Sequence, residues 1–209
     1  MPREIIFDLE TDGLYYSVSK VHCLVLYILD EKPYKLSFSD TPVGHEAGTI
    51  ADGLIMLSQA DCIIGHNIIN YDIPVLKKLY PGWTYIGRVY DTLIASKLAF
   101  PCIENQDYAR IRCGKPFPPK LIGRYSLESW GWRLGNHKGT YGKTTDWQTY
   151  DFEMLDYCEQ DTDTNRTLYL ECLRRNVSEQ ALQLEFEVAR IITQQSLNGW
   201  CFDFKKAEK

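Results

Sequence analysis

Three short stretches, far apart in a chain of 209 residues, each supply a carboxylate of the kind that a catalytic metal ion requires. FDLET (residues 7–11) holds Asp8 and Glu10. GHNIINYDIPVL (residues 65–76) holds Asp72, and YCEQD (residues 157–161) holds Tyr157 and Asp161. On a strand, residues two apart face the same way at about 6.6 Å spacing. Asp8 and Glu10 therefore aim at one place, while Phe7 and Leu9 face the opposite layer. Two like charges that close repel, and burial without a cation would raise at least one pKa. A divalent ion removes the conflict and prefers oxygen ligands. On a helix, Tyr157 and Asp161 share a face, separated by about 6 Å of rise. Each stretch alone also has an ordinary reading. Asp8 and Glu10 could be a solvated strand end, Asp72 a helix N-cap, and YCEQD, with Asp156, Glu159 and Asp163 nearby, an acidic solvent face.

Together the three point to hydrolysis of a phosphodiester with two metal ions about 3.5–4 Å apart. Asp8 would bridge the pair. Glu10 and Asp161 would complete the ion on the nucleophile's side, and Asp72 would hold the second, through a water. Tyr157 would hydrogen-bond the attacking water and orient it. With a phenol pKa near 10 it is a poor base at neutral pH. His66 reads as a hydrogen-bonding partner rather than a ligand, and Asn67 as a donor to a sugar or phosphate.

These residues need elements to carry them. Residues 4–8 read as a short buried strand. Residues 21–29 and 34–38 read as two more, joined as a hairpin by Asp30-Glu31-Lys32-Pro33. A helix is expected over residues 44–59, a strand over 62–65, a helix over 72–79 ended by Pro81-Gly82, a strand over 89–91 and a helix over 92–99. Residues 100–123, rich in proline and glycine, read as a long irregular connection. Residues 126–134 look helical with Ser126 as N-cap. Residues 135–150 form a second polar stretch. Two long helices follow, over residues 151–175 and 178–197, the latter ended by Asn198-Gly199. This order implies an α/β fold, a mixed sheet flanked by helices.

Composition sets the frame. A hydrophobic share of 44% suits a packed domain, and no apolar run reaches the roughly 18 residues of a membrane span. Acidic residues in MPREIIFDLE argue against a secretory signal. The seven cysteines form no CxxC pair, so reduced thiols in a cytoplasmic setting are expected. The net charge of −5 argues against strong nonspecific grip on nucleic acid by this chain alone. Residues 105–145 are the exception. There Arg110, Arg112, Lys115, Lys120, Arg124, Arg133, Lys138 and Lys143 face only Asp107 and Glu128, a local charge of +6. That segment is either a surface tracking a phosphate backbone or a solvated loop.

The acid order Asp8, Glu10, Asp72, Asp161 resembles the motifs of the DnaQ-like, or DEDD, 3′–5′ exonucleases. Tyr157 is similar to the tyrosine that marks one subgroup, where other members carry histidine. Asp91-Thr92-Leu93 resembles the family's DTL segment. YSLESWGWRLGNHKG (residues 125–139) is similar to a stretch of the proofreading domain of phage family A DNA polymerases. The resemblance implies a ribonuclease H-like fold with a five-stranded mixed sheet, and removal of nucleotides from single-stranded DNA 3′ ends with two Mg2+ or Mn2+ ions. It also implies contacts from Thr11, Leu14 and Asn67 to the terminal nucleotide. NGWCFDF (residues 198–204) resembles the passage from proofreading to polymerase domain in those enzymes. Residues 1–197 are therefore expected to be the exonuclease domain, and residues 198–209 the start of a linker to a C-terminal polymerase domain in a parent chain. If the chain is phage-encoded, its place is the host cytoplasm. Two alternatives remain, a stand-alone exonuclease that trims RNA and a non-catalytic module that binds nucleic acid.

Overall fold

In the computed structural model, which describes residues 3–137 and 146–207, five strands form one mixed sheet in the order β3-β2-β1-β4-β5. They are β1 (Glu4–Thr11), β2 (Val21–Leu29), β3 (Tyr34–Phe38), β4 (Cys62–Gly65) and β5 (Arg88–Asp91). β1 lies at the centre, antiparallel to β2 and parallel to β4. The alternation of its side chains is what builds the layers. Ile5, Phe7 and Leu9 pack with Leu24, Leu26, Leu54, Leu57, Val75 and Leu76 in the larger apolar cluster. That cluster lies under α1 (Ile50–Ser58) and α2 (Asp72–Leu79). Ile6 points the other way, with Ile64 and Tyr169. A one-residue slip of β1 would exchange the two faces and carry Asp8 and Glu10 into the α1–α2 layer.

The second layer contains α3 (Thr92–Ala99), α6 (Phe152–Arg174) and α7 (Glu179–Asn198). α6 is the long brace across the sheet. Asp151 caps it, its carboxylate accepting from Met154 N–H, and Leu155, Cys158, Asp161, Thr162, Asn165, Leu168 and Cys172 form its buried stripe. Glu159 and Asp163, which flank that stripe, are not a free acidic face. Lys35 Nζ sits 2.8 Å from Asp163, and Ser37 Oγ donates to Glu159 at 2.5 Å, so both acids tie α6 to β3.

Two expected elements come out differently. The helix anticipated over residues 44–59 begins only at Ile50. Thr49 and Asp52 form a reciprocal capping box there, and Glu46 closes a turn on the N–H groups of Val43 and Gly44 instead. The connection anticipated over residues 100–123 contains a helix, α4 (Ile103–Arg112), and a 3-10 turn, Pro119–Leu121. α4 buries only Ile103 and Asp107, so its sequence carries almost no helical apolar stripe. Its anchor is polar. Asp107 accepts from Nε and one terminal nitrogen of Arg133 on α5 (Leu127–Leu134), at 2.9 and 2.8 Å, and also from Gly123 N–H at 3.0 Å. Arg133 therefore leaves the expected basic surface, and Lys138 and Lys143 lie outside the described residues.

Candidate active site

Asp8 and Glu10 sit on the α6 side of β1, both partly exposed. The pairing of β1 with β2 shifts register between Glu10 and Thr11, so that Glu10 lies opposite Cys23 but Thr11 lies opposite Val21. Such bulges re-aim side chains at the end of a strand. Across from the acids, α6 presents Cys158, whose Sγ lies 3.9 Å from Asp8 Oδ2. One ligand atom each from Asp8, Glu10 and Cys158 falls within 4.8 Å of the others. The thiol was not anticipated beside the carboxylates. The signal was its place three residues before Asp161, near the same side of the helix, but nothing local gave the depth of that side. Burial, then the neighbouring Cys23 and Asp8, push the Cys158 thiol well above its ordinary pKa. It therefore stays protonated and adds little for an ion that prefers oxygen.

Asp72 is the first residue of α2, and its side chain does not act as the N-cap, a position held by Tyr71 without a side-chain bond. The N-cap reading of Asp72 is thereby overturned. Asp72 is 4% exposed. Burial raises its pKa well above the usual range, and the Asp8 charge adds to the rise, followed by smaller effects from Asp91 and Glu10. A desolvated acid facing a second acid fits a cation-binding place better than a structural cap. The oxygen donors of Asp8, Glu10 and Asp72 suit a hard divalent ion.

Tyr157 lies half-buried on α6, and burial, then the charges of Glu10 and Asp8, push its phenol upwards. It remains protonated at neutral pH, which leaves its hydroxyl able to donate a hydrogen bond. The Trp147 ring meets it edge-on with centroids 6.2 Å apart. Asp161, one turn further along α6, is 7% exposed and lies in the stripe that packs on the sheet.

The loop between β4 and α2 is held by Asp91 at the end of β5. That buried carboxylate accepts from Asn67 N–H at 3.0 Å and Ile69 N–H at 3.1 Å while capping α3 through Leu93 and Ile94. Thr92 Oγ1 lies 2.6 Å from Asn165 Oδ1 on α6 and 3.0 Å from His66 Nδ1. The Asp-Thr pair thus ties the second motif to the third motif's helix, and His66 takes the partner role expected of it. Asn67 holds a left-handed backbone, φ 68°. Of the residues assigned to substrate, Leu14 is 77% exposed. The Thr11 hydroxyl is engaged within the protein, with Gly13 O at 3.0 Å and Tyr71 Oη at 2.6 Å. Asn67 Oδ1 accepts from Asn70 Nδ2 at 2.9 Å.

No family model matches the chain. Over 98% of its length it is 27% identical to the DNA-directed DNA polymerase of Escherichia phage T7, and equally to that of Enterobacteria phage T3. The chain spans about a third of the length of these relatives, 34%. Among solved structures, it resembles a nuclease in its apo form (TM-score 0.62, 21% identity, 96% of this chain and 88% of that one). It also resembles Brucella melitensis NrnC (TM-score 0.62, 18% identity, 94% and 86%) and an exonuclease I (TM-score 0.50, 12% identity, 88% and 43%). One NrnC structure contains bound Mg2+ (TM-score 0.56, 18% identity). These likenesses show the fold: the five-stranded mixed sheet flanked by helices is one that these nucleases share.

Proposed function

We propose that this chain is a DnaQ-like 3′–5′ exonuclease of the tyrosine subgroup, the proofreading part of a phage-type family A DNA polymerase. Residues 1–197 would form the exonuclease domain, and residues 198–209 would begin the linker to a polymerase domain in the parent chain. The similarity to polymerases three times as long supports that extension. The observation that carries the reading is the grouping of Asp8 and Glu10, whose ligand atoms lie with that of Cys158 within 4.8 Å of one another, and the buried Asp72 within reach of the Asp8 charge.

Asp8, Glu10, Asp72 and Asp161 would hold two divalent ions, Mg2+ or Mn2+. When bound, such ions supply Lewis acidity at phosphorus and a nucleophile at neutral pH. Tyr157 would hold the attacking water through its hydroxyl, with its orientation set by the Trp147 ring. Thr11, Leu14 and Asn67 would receive the terminal nucleotide: Leu14 offers an exposed apolar side chain, and Asn67 a side-chain amide on a loop that Asp91 immobilises. Leaving the sugar and base to these neighbours frees the acids for the scissile phosphate.

The test is degradation of end-labelled single-stranded DNA with and without Mg2+. Wild type should shorten the strand from its 3′ end only with the metal, and Asp8→Ala and Asp161→Ala should each abolish shortening with the fold retained. Activity surviving both changes refutes the assignment. A second reading, trimming of RNA, draws support from the fold likeness to NrnC bound to pGG. DNA and RNA oligomers of one sequence, compared side by side, decide between the two.

A further inference from the structure

The acids explain chemistry at one phosphate, but nothing in that cluster grips the rest of a strand. Among the described residues, a run of cations that could do so extends from the last residue of α4 through the connection to α5. Its conformation is set from below. The buried Asp107–Arg133 pair and the bond from Gly123 N–H to Asp107 clamp both ends of the connection, and Arg133 stacks over Phe117 and Trp130 at 5.3 and 4.8 Å. Above this anchor Arg112, Lys115, Lys120 and Arg124 are exposed. Arg124 Nε donates to Lys120 O at 3.1 Å, which braces those two residues together. Lys120 Nζ lies 3.8 Å from Glu128 on α5. Asn136, just beyond the end of α5, accepts from Gln160 Nε2 at 3.3 Å and donates to Thr164 Oγ1 at 2.8 Å, both on α6. The cationic segment is thereby joined through α5 to the helix that carries Tyr157 and Asp161.

We propose that Lys120 and Arg124, with Arg112 and Lys115 earlier on the same anchored segment, form the rim that binds the phosphate backbone of a single strand and leads its 3′ end to the acids. This rests on the exonuclease reading for its substrate. A chain of net charge −5 repels a polyanion over most of its surface, so grip must come from local clusters of cations. A rigid anchor keeps these cations pre-arranged, and less ordering is then required when the strand binds.

The experiment measures binding of a fluorescein-labelled oligothymidylate by anisotropy in EDTA, where no turnover occurs, across a series of salt concentrations. It compares wild type, Lys120→Gln/Arg124→Gln, Arg112→Gln/Lys115→Gln and Lys32→Gln, the last lying on the β2–β3 turn. Both double variants should bind about tenfold more weakly and lose roughly 0.7 from the salt slope for each phosphate contact removed. Lys32→Gln should match wild type. In Mg2+ the double variants should raise KM for the long oligomer with kcat unchanged, and leave a dinucleotide's KM alone. Equal binding and slope in all variants, or no binding by wild type, overturns the proposal. Binding lost as expected, but without any cleavage in Mg2+, would sink the exonuclease reading and leave the strand-binding rim standing.

Discussion

At the scale of single residues the site is a conflict of charge held in place by packing. Asp72 shows this best. Its folded pKa is raised above the unfolded value near 3.8, so the folded chain holds a proton that the unfolded chain releases. The sign follows: this carboxyl makes stability fall as pH rises from about 4 up through the raised pKa, and the loss persists above it. Asp72→Asn should therefore raise the Tm of the metal-free protein at neutral pH, while at pH below 4 the two proteins should melt alike. Thermal melts at both pH values check this, and an unchanged neutral Tm would contradict the burial described for Asp72. Tyr157→Phe removes one hydroxyl and leaves the acids intact. It should lower kcat about 10–100-fold, the equivalent of one hydrogen bond of roughly 1.5–3 kcal/mol, with little change in KM. Single-turnover kinetics at saturating DNA measure it. The Cys158 thiol beside Asp8 could not be read from YCEQD, because a cysteine in a helix has no distinguishing local pattern.

At the scale of elements, the sheet and the acids' carriers were legible, and the connection before α5 was not. β2, β3, β4, α2 and α3 match the boundaries that periodicity implies, since alternation and helical spacing are local properties. α4 escaped because its stability comes from the Asp107–Arg133 pair, whose partners are 26 residues apart, and not from an apolar stripe. Arg133→Ala leaves Asp107 buried without its cation and should destabilise the fold by about 3–5 kcal/mol. Arg133→Met combined with Asp107→Leu should recover most of that loss, and denaturant unfolding of wild type, Arg133→Met, Asp107→Leu and the double variant measures it. A fully additive double variant would show that the pair is not coupled.

At the scale of the whole molecule, stability should depend on a ligand. Divalent metal should bind the native acids and not the unfolded chain. At ten times its Kd, Mg2+ should then add about 1.4 kcal/mol of stability, or roughly 3–6 °C in Tm. EDTA should reverse the shift, and Asp8→Ala should abolish it, as differential scanning fluorimetry can show. α7 is apolar on two sides. Leu182 and Phe186 face the core, while Leu184, Ile191 and Ile192 are 61%, 67% and 53% exposed. Strand alternation alone determined that Asp8 and Glu10 share a side, and helical spacing alone determined that Tyr157 and Asp161 do. Both follow from neighbours along the chain. That Asp72 is buried within reach of the Asp8 charge instead of capping α2, and that Arg133 turns inward while Lys120 and Arg124 stay exposed, came from packing between distant segments. Burial and partner charge depend on segments brought together from tens of residues away, and no local pattern carries that information.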